Sequence, residues 1–168
     1  MNLILIGMPG AGKSTIGILC AKCLGLDFID TDVAIQQITG SLLPELIEDL
    51  GIEGFLDLER DIIASLDVQD TVIATGGSVV LRPQGLTAIQ KHGLTVFLDV
   101  PKAEIQARIS NFRERGVVMS PGKSLDDIFS ERHPLYQRSA DLSIDCRQLT
   151  MESIVQALCK EWKKIGAQ

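Results

Sequence analysis

The chain of 168 residues has few cysteines, only Cys20, Cys23, Cys146 and Cys159. Four are too few for a disulfide scaffold. A chain this long can bury roughly 70% of the surface its unfolded form exposes, so it needs no covalent staples. It has no basic tract. Sixteen Lys and Arg against 22 Asp and Glu leave a net charge of −6, which speaks against general binding to nucleic acid or membrane surfaces. Long apolar runs are missing as well. The N-terminal run Leu3-Ile4-Leu5-Ile6 is short and no basic segment precedes it, so neither a secretion signal nor a membrane span is expected. There is no internal repeat and no low-complexity segment. With 45% apolar and 23% charged residues the composition is that of a globular protein. A reduced, cytoplasmic, monomeric protein with one domain over residues 1–168 is expected.

What is present alternates between two periods. Short apolar segments, Leu3 to Ile6, Phe28-Ile29, Thr71 to Ala74, Thr95 to Leu98 and Leu142 to Ile144, read as strands. Helical patterns separate them. They run from about Gly12 to Leu24, from Thr31, from Pro44, over Ile52 to Leu66, from Pro101 to about Ile109, and over Thr150 to Lys164. Such alternation predicts an α/β fold with a parallel sheet covered on both faces. Residues 111–123 form the longest irregular stretch, and a loop of that length suits a mobile lid. Ser124 and Asp127 have capping-box spacing for a helix after it.

Gly7-Met8-Pro9-Gly10-Ala11-Gly12-Lys13-Ser14 fits G-x-x-x-x-G-K-[ST], the P-loop, between a buried strand and an amphipathic helix. Glycines let backbone N–H groups approach phosphate oxygens, and the helix N-terminus adds partial positive charge. Gly7, Gly10, Ala11, Gly12, Lys13, Ser14 and Thr15 therefore form a candidate nucleotide site. Lys13 supplies charge to the β- and γ-phosphates, and Ser14 is a magnesium ligand. A GTPase would need an Asn/Thr-Lys-x-Asp motif, but the only asparagines are Asn2 and Asn111 and neither supplies it. A hydrophobic run ending in Asp-Glu, expected of a motor ATPase, is also missing. A small single-domain kinase remains.

Asp30-Thr31-Asp32 follows the second strand, at the same sheet edge as the P-loop. Two carboxylates beside a polyphosphate must serve a cation or a substrate proton. Asp30 is thus a candidate for magnesium or its water, and Asp32 for gripping an acceptor hydroxyl and accepting its proton. The alternative for this pair is helix capping and dipole complementarity.

The order and spacing of Asp30-Thr31-Asp32-Val33-Ala34-Ile35, Thr39-Gly40-Ser41, Phe55-x-x-x-Glu59, Thr75-Gly76-Gly77 and Arg132-His133-Pro134-Leu135-Tyr136 resemble those of shikimate kinases over nearly the whole chain. The resemblance implies ATP- and magnesium-dependent phosphorylation of the 3-hydroxyl of shikimate, in the route to aromatic amino acids. It also implies the nucleoside-monophosphate-kinase fold, a P-loop NTPase three-layer α/β/α architecture with a five-stranded parallel sheet. Residues 31–66 would form the helical substrate-binding segment and residues 111–123 the lid. By matching positions, Asp32, Gly76, Gly77 and Arg132 would hold substrate, with Arg132 on its carboxylate. Arg115 would reach the transferring phosphoryl from the lid, with Arg113 as the alternative, and Arg108 would pack on adenine.

The chain departs from the family pattern at three places. The lid reads Arg115-Gly116-Val117-Val118-Met119, where Arg-Pro-Leu-Leu is usual. Ser78 replaces the third glycine of the turn. Leu56 stands where an arginine shares the substrate carboxylate. That keeps two other readings open: a kinase for a different polyol or hydroxy acid, or a catalytically weak nucleotide sensor. Arg60, one turn on, and Arg82 are candidate substitutes for the missing arginine. Glu59 lies within an apolar helical stripe and needs a partner, for which Arg132 or Arg82 is expected. Cys20 and Cys23 share a helix face, and His92 and His133 read as surface or packing residues.

Overall fold

Five short segments, rich in leucine and β-branched residues, form a single parallel sheet. They are β1 (Asn2–Ile6), β2 (Asp27–Asp30), β3 (Thr71–Ala74), β4 (Gly93–Asp99) and β5 (Leu142–Asp145). Their order is β2-β3-β1-β4-β5, and every neighbouring pair is parallel. β1 and β3 are buried along their whole length, which is why they read as apolar runs without alternation. The computed structural model describes residues 1–108, 116–120 and 122–166.

The helices are α1 (Lys13–Leu24), α2 (Thr31–Thr39), α3 (Leu43–Ala64), α4 (Pro83–Gln90), α5 (Lys102–Arg108), α6 (Leu125–Ser139) and α7 (Met151–Gly166). From β1 to β2 the chain crosses the sheet in one direction; every later crossover runs the other way. Right-handed connections therefore place α1 on one face and α3, α4 and α6 on the opposite face. α7 packs beside α1 and completes the first layer. The expected three-layer α/β/α fold is present.

Local details differ from the sequence reading. The helical stretches read from Pro44 and from Ile52 are both present as the two halves of α3, which meet at Gly51, where the backbone (φ 68°) is not helical. α4 and the 3₁₀ turn Val79–Leu81 were not legible, because eight and three residues are too short to show a helical period. Ser124 does cap α6: its hydroxyl accepts from the Asp127 N–H at 3.2 Å, and the Asp127 carboxylate accepts from the Ser124 N–H at 2.7 Å.

Two apolar clusters hold these layers. The larger follows the sheet and includes Leu3, Ile4, Leu5, Ile73, Phe97 and Tyr136. The smaller joins Ile35, Leu43, Leu46, Phe55, Leu56, Ile62 and Val118. Leu56 is thus a core residue, and it packs in the same cluster as Val118 from the expected lid. Burial of such side chains contributes about 1.5–3 kcal/mol each. Of the expected lid, residues 111–115 and 121 lie outside the described residues.

Candidate active site

The P-loop joins β1 to α1 at the carboxyl edge of the sheet. Gly12 sits just before α1 with φ 91°, a backbone that L side chains rarely adopt, so glycine is required there. Lys13 is buried, and its Nζ donates to Gly7 O at 2.8 Å and Met8 O at 2.9 Å. Burial pulls its pKa down to about 8, against the opposing pull of Asp32 and Asp30. Ser14 and Thr15 are exposed at the mouth of a cavity of about 240 Å³. Its wall also includes Gly10, Gly12, Lys13 and Asp32. Gly7 and Ala11 stay behind that wall: Ala11 is fully buried, and a Cβ on Gly7 would fall 3.0 Å from Leu98 O.

β2 ends where α2 begins, and both capping and cavity roles occur there. Asp30 Oδ1 accepts from the N–H groups of Asp32, at 2.9 Å, and Val33, at 3.3 Å. The capping alternative therefore holds for Asp30, leaving its second oxygen for other use. Asp32 reaches the cavity. Burial raises its pKa to about 6, and Asp30 raises it further while Lys13 opposes. The N–H of Gly76 donates to Thr31 Oγ1 at 2.9 Å, tying the start of α2 to the glycine turn. A side chain at Gly76 or Gly77 would displace its neighbours. A Cβ on Gly76 would lie 2.5 Å from Glu59 Oε1 and 2.6 Å from Asp32 Oδ1.

Arg132 comes from α6 and is buried. Its Nη1 donates to Gly77 O at 3.3 Å and its Nη2 to Val118 O, while its Nε has no partner among the described residues. Tyr136, one helical turn later, donates its hydroxyl to the same Gly77 O. Arg132 thus joins the glycine turn to Val118 and lies in the wall of the cavity. Tyr136 and Thr31 were not singled out by sequence reasoning. Tyr136 was visible only as the last residue of the string that begins at Arg132.

Glu59 does not pair as expected. It is buried, and neither carboxylate oxygen has a hydrogen-bond partner among the described residues. Arg82 instead binds Asp57, with Nε donating at 3.1 Å, and Glu53. The Ser78 hydroxyl stands close to Glu59 but outside hydrogen-bonding geometry. Burial pushes the Glu59 pKa up to about 7; Ser78 lowers it, Asp32 raises it, and Arg132 and Lys13 lower it. Arg60 also departs from expectation. It pairs with Asp57 at 2.8 Å and Asp61 at 2.7 Å and lies on neither cavity wall of this region.

Other candidates are scattered. Arg108 pairs with Glu104 along α5 at 3.0 Å and is not brought to the cavity. Arg115 and Arg113 lie outside the described residues. Cys20 and Cys23 are free thiols, the first buried and the second exposed. His133 is a packing residue with a partner: it stacks on Phe129, with 4.8 Å between centroids, and its Nε2 lies 3.0 Å from Asp99 Oδ1. Among the described residues no group of three or more His, Cys, Asp or Glu could hold a metal, and no helix is long and apolar enough to cross a membrane.

A family model described as shikimate kinase matches residues 9–163. The shikimate kinase of Thermodesulfovibrio yellowstonii is 34% identical over 168 residues, covering 98% of this chain and 96% of its own. That of Pseudomonas fluorescens is 41% identical over 147 residues, 86% of each chain. Among solved structures, shikimate kinase from Acinetobacter baumannii in complex with shikimate superposes with a TM-score of 0.88 at 27% identity, covering 99% of this chain and 95% of that one.

Proposed function

The chain belongs to the shikimate kinase family, and from that premise we propose that it transfers the γ-phosphoryl group of ATP to the 3-hydroxyl of shikimate. One observation carries the reading: Lys13, Asp32 and Arg132, from three separate elements, face one cavity at the end of the P-loop. A phosphoryl group, a hydroxyl and a carboxylate each find a matching group there.

In this reading the P-loop backbone from Gly7 to Gly12 and the N-terminus of α1 hold the nucleotide phosphates, with Ser14 and Thr15 at their edge. Lys13 leaves the carbonyls of Gly7 and Met8 for the β- and γ-phosphates. Its lowered pKa reflects the burial that makes its charge effective there. Asp32 orients the acceptor hydroxyl and takes its proton. A carboxylate raised to about 6 is still ionised at neutral pH and is a better base than an ordinary one. Gly76 and Gly77 let the backbone approach the acceptor, and Arg132 binds its carboxylate. Arg115 completes the phosphoryl site from the lid, and Arg108 lies against the base.

The oxygen donors Ser14 and Asp30 suit a hard divalent cation, and the uncommitted oxygen of Asp30 fits a contact through water. Magnesium, when bound, neutralises charge on the β- and γ-phosphate oxygens. All the groups used come from one chain, so a monomer suffices, and free thiols suit a cytoplasmic setting. The test is ATP consumption by the purified protein against shikimate, gluconate and other hydroxy acids and polyols. Saturable, magnesium-dependent phosphorylation of shikimate is expected. Efficient use of a carboxylate-free polyol instead of shikimate refutes the assignment.

A further inference from the structure

A second cavity of about 270 Å³ adjoins the first, and Val118 and Arg132 lie in the wall of both. Leu56 is part of its wall and brings no charge to it. Arg82 and Lys123 lie in the same wall. Lys123 is paired with Glu131 at 2.9 Å. Arg82 donates to Asp57 and to Glu53, which lies in the same wall, and its Nη1 donates to Leu81 O at 3.3 Å. A guanidinium carries five N–H groups, so Arg82 keeps one on each terminal nitrogen. Across the cavity, Arg132 gives one N–H from Nη1 to Gly77 O and one from Nη2 to Val118 O and keeps the second on each.

We propose that Arg82 is a second carboxylate-binding residue of the acceptor site, taking over from the turn before α4 the role that Leu56 cannot perform on α3. This rests on the kinase reading above. An acceptor whose hydroxyl meets Asp32 in the first cavity would extend its carboxylate past Val118 into the second, between Arg132 and Arg82. The planar fork of Arg82 matches a carboxylate in a way that the point charge of Lys123 does not. Glu53, in the same wall, and Asp57 offset part of its charge. Both acids are well exposed, so solvent screens them from the acceptor more than it screens the buried Arg132.

The experiment measures steady-state kinetics of Arg82→Gln and Arg82→Lys with shikimate and with the corresponding carboxylate-free cyclohexene triol. Loss of one charge-assisted contact should raise KM for shikimate roughly 10- to 100-fold. The kcat and the KM for ATP should stay within about threefold, because the contact forms in ground and transition states alike. KM for the triol should not move, and Arg82→Lys should fall between wild type and Arg82→Gln. Leu56→Arg in the Arg82→Gln background should restore the shikimate KM. A Glu53→Gln/Asp57→Asn double variant separates carboxylate binding from scaffolding, since it removes the ion pairs and keeps the arginine; its shikimate KM should not rise. An unchanged KM in Arg82→Gln overturns the inference alone. So does an equal rise for the triol, or a rise in the double variant. Wild-type protein that turns over the triol and ignores shikimate overturns both the inference and the proposed reaction.

Discussion

Replacing Glu59 by glutamine should stabilise the protein at neutral pH and leave it less changed in acid. Glu59 is 1% exposed and both of its oxygens lack a partner among the described residues. Its pKa rises from 4.5 to about 7 on folding, chiefly because burial penalises the charged form. At about 1.4 kcal/mol per pH unit, holding it ionised costs roughly 3 kcal/mol. The sign follows from proton binding. Between pH 4.5 and about 7 the folded chain keeps a proton that the unfolded chain releases, so the stability present below 4.5 is lost as pH rises to about 7. Above that the full penalty is present. Glutamine has the same shape and no charge. Its own unpaired amide costs the same at every pH, so the pH dependence isolates the charge. Urea unfolding of wild type and Glu59→Gln at pH 5 and pH 8 is the assay. The variant should gain about 2–3 kcal/mol relative to wild type between the two conditions. An equal stability difference at both pH values would refute the reasoning, since it would mean that Glu59 is neutral or paired throughout.

Further outcomes follow from the same site. Lys13→Met should abolish phosphotransfer without lowering the melting temperature at pH 7. The buried ammonium, with its pKa lowered to about 8, carries a folding penalty below that pH which methionine lacks. A large drop in melting temperature would make Lys13 a structural residue. Arg115→Ala should lower kcat about 100-fold or more with little change in nucleotide affinity, as for other arginines that stabilise the transferring phosphoryl group. A normal kcat would pass the role to Arg113 or remove it. Leu56→Arg should lower the KM for shikimate and give Glu59 a counter-charge three residues away on α3. The pH dependence that distinguishes Glu59→Gln should then vanish, and its persistence would show that the new arginine points elsewhere.

The sequence alone determined the parts of this protein whose physics is local. β1, the P-loop and the start of α1 are contiguous, and the glycines, lysine and serine there can be read in order because a backbone cradle is built from neighbours. β1 and β3 were legible because complete burial in a parallel sheet demands apolar runs. Asp32 was legible for the same reason: it sits just past a strand end, at the edge where the phosphates bind. The short helix α4 was not, since eight residues show too little of a 3.6-residue period. Which charges meet was decided only by tertiary structure. Arg132 and Gly77 are 55 residues apart in the chain and touch because α6 crosses the glycine turn. Arg60, one turn from Leu56, looked the nearer substitute for the missing arginine, yet it pairs along its own helix, while Arg82 lines a cavity. Glu59 could be seen to need a partner, but not that none of the described residues would supply one. Side chains reach only a few ångströms, so their partners are set by where packing brings distant elements together, and residue spacing along the chain carries no record of that.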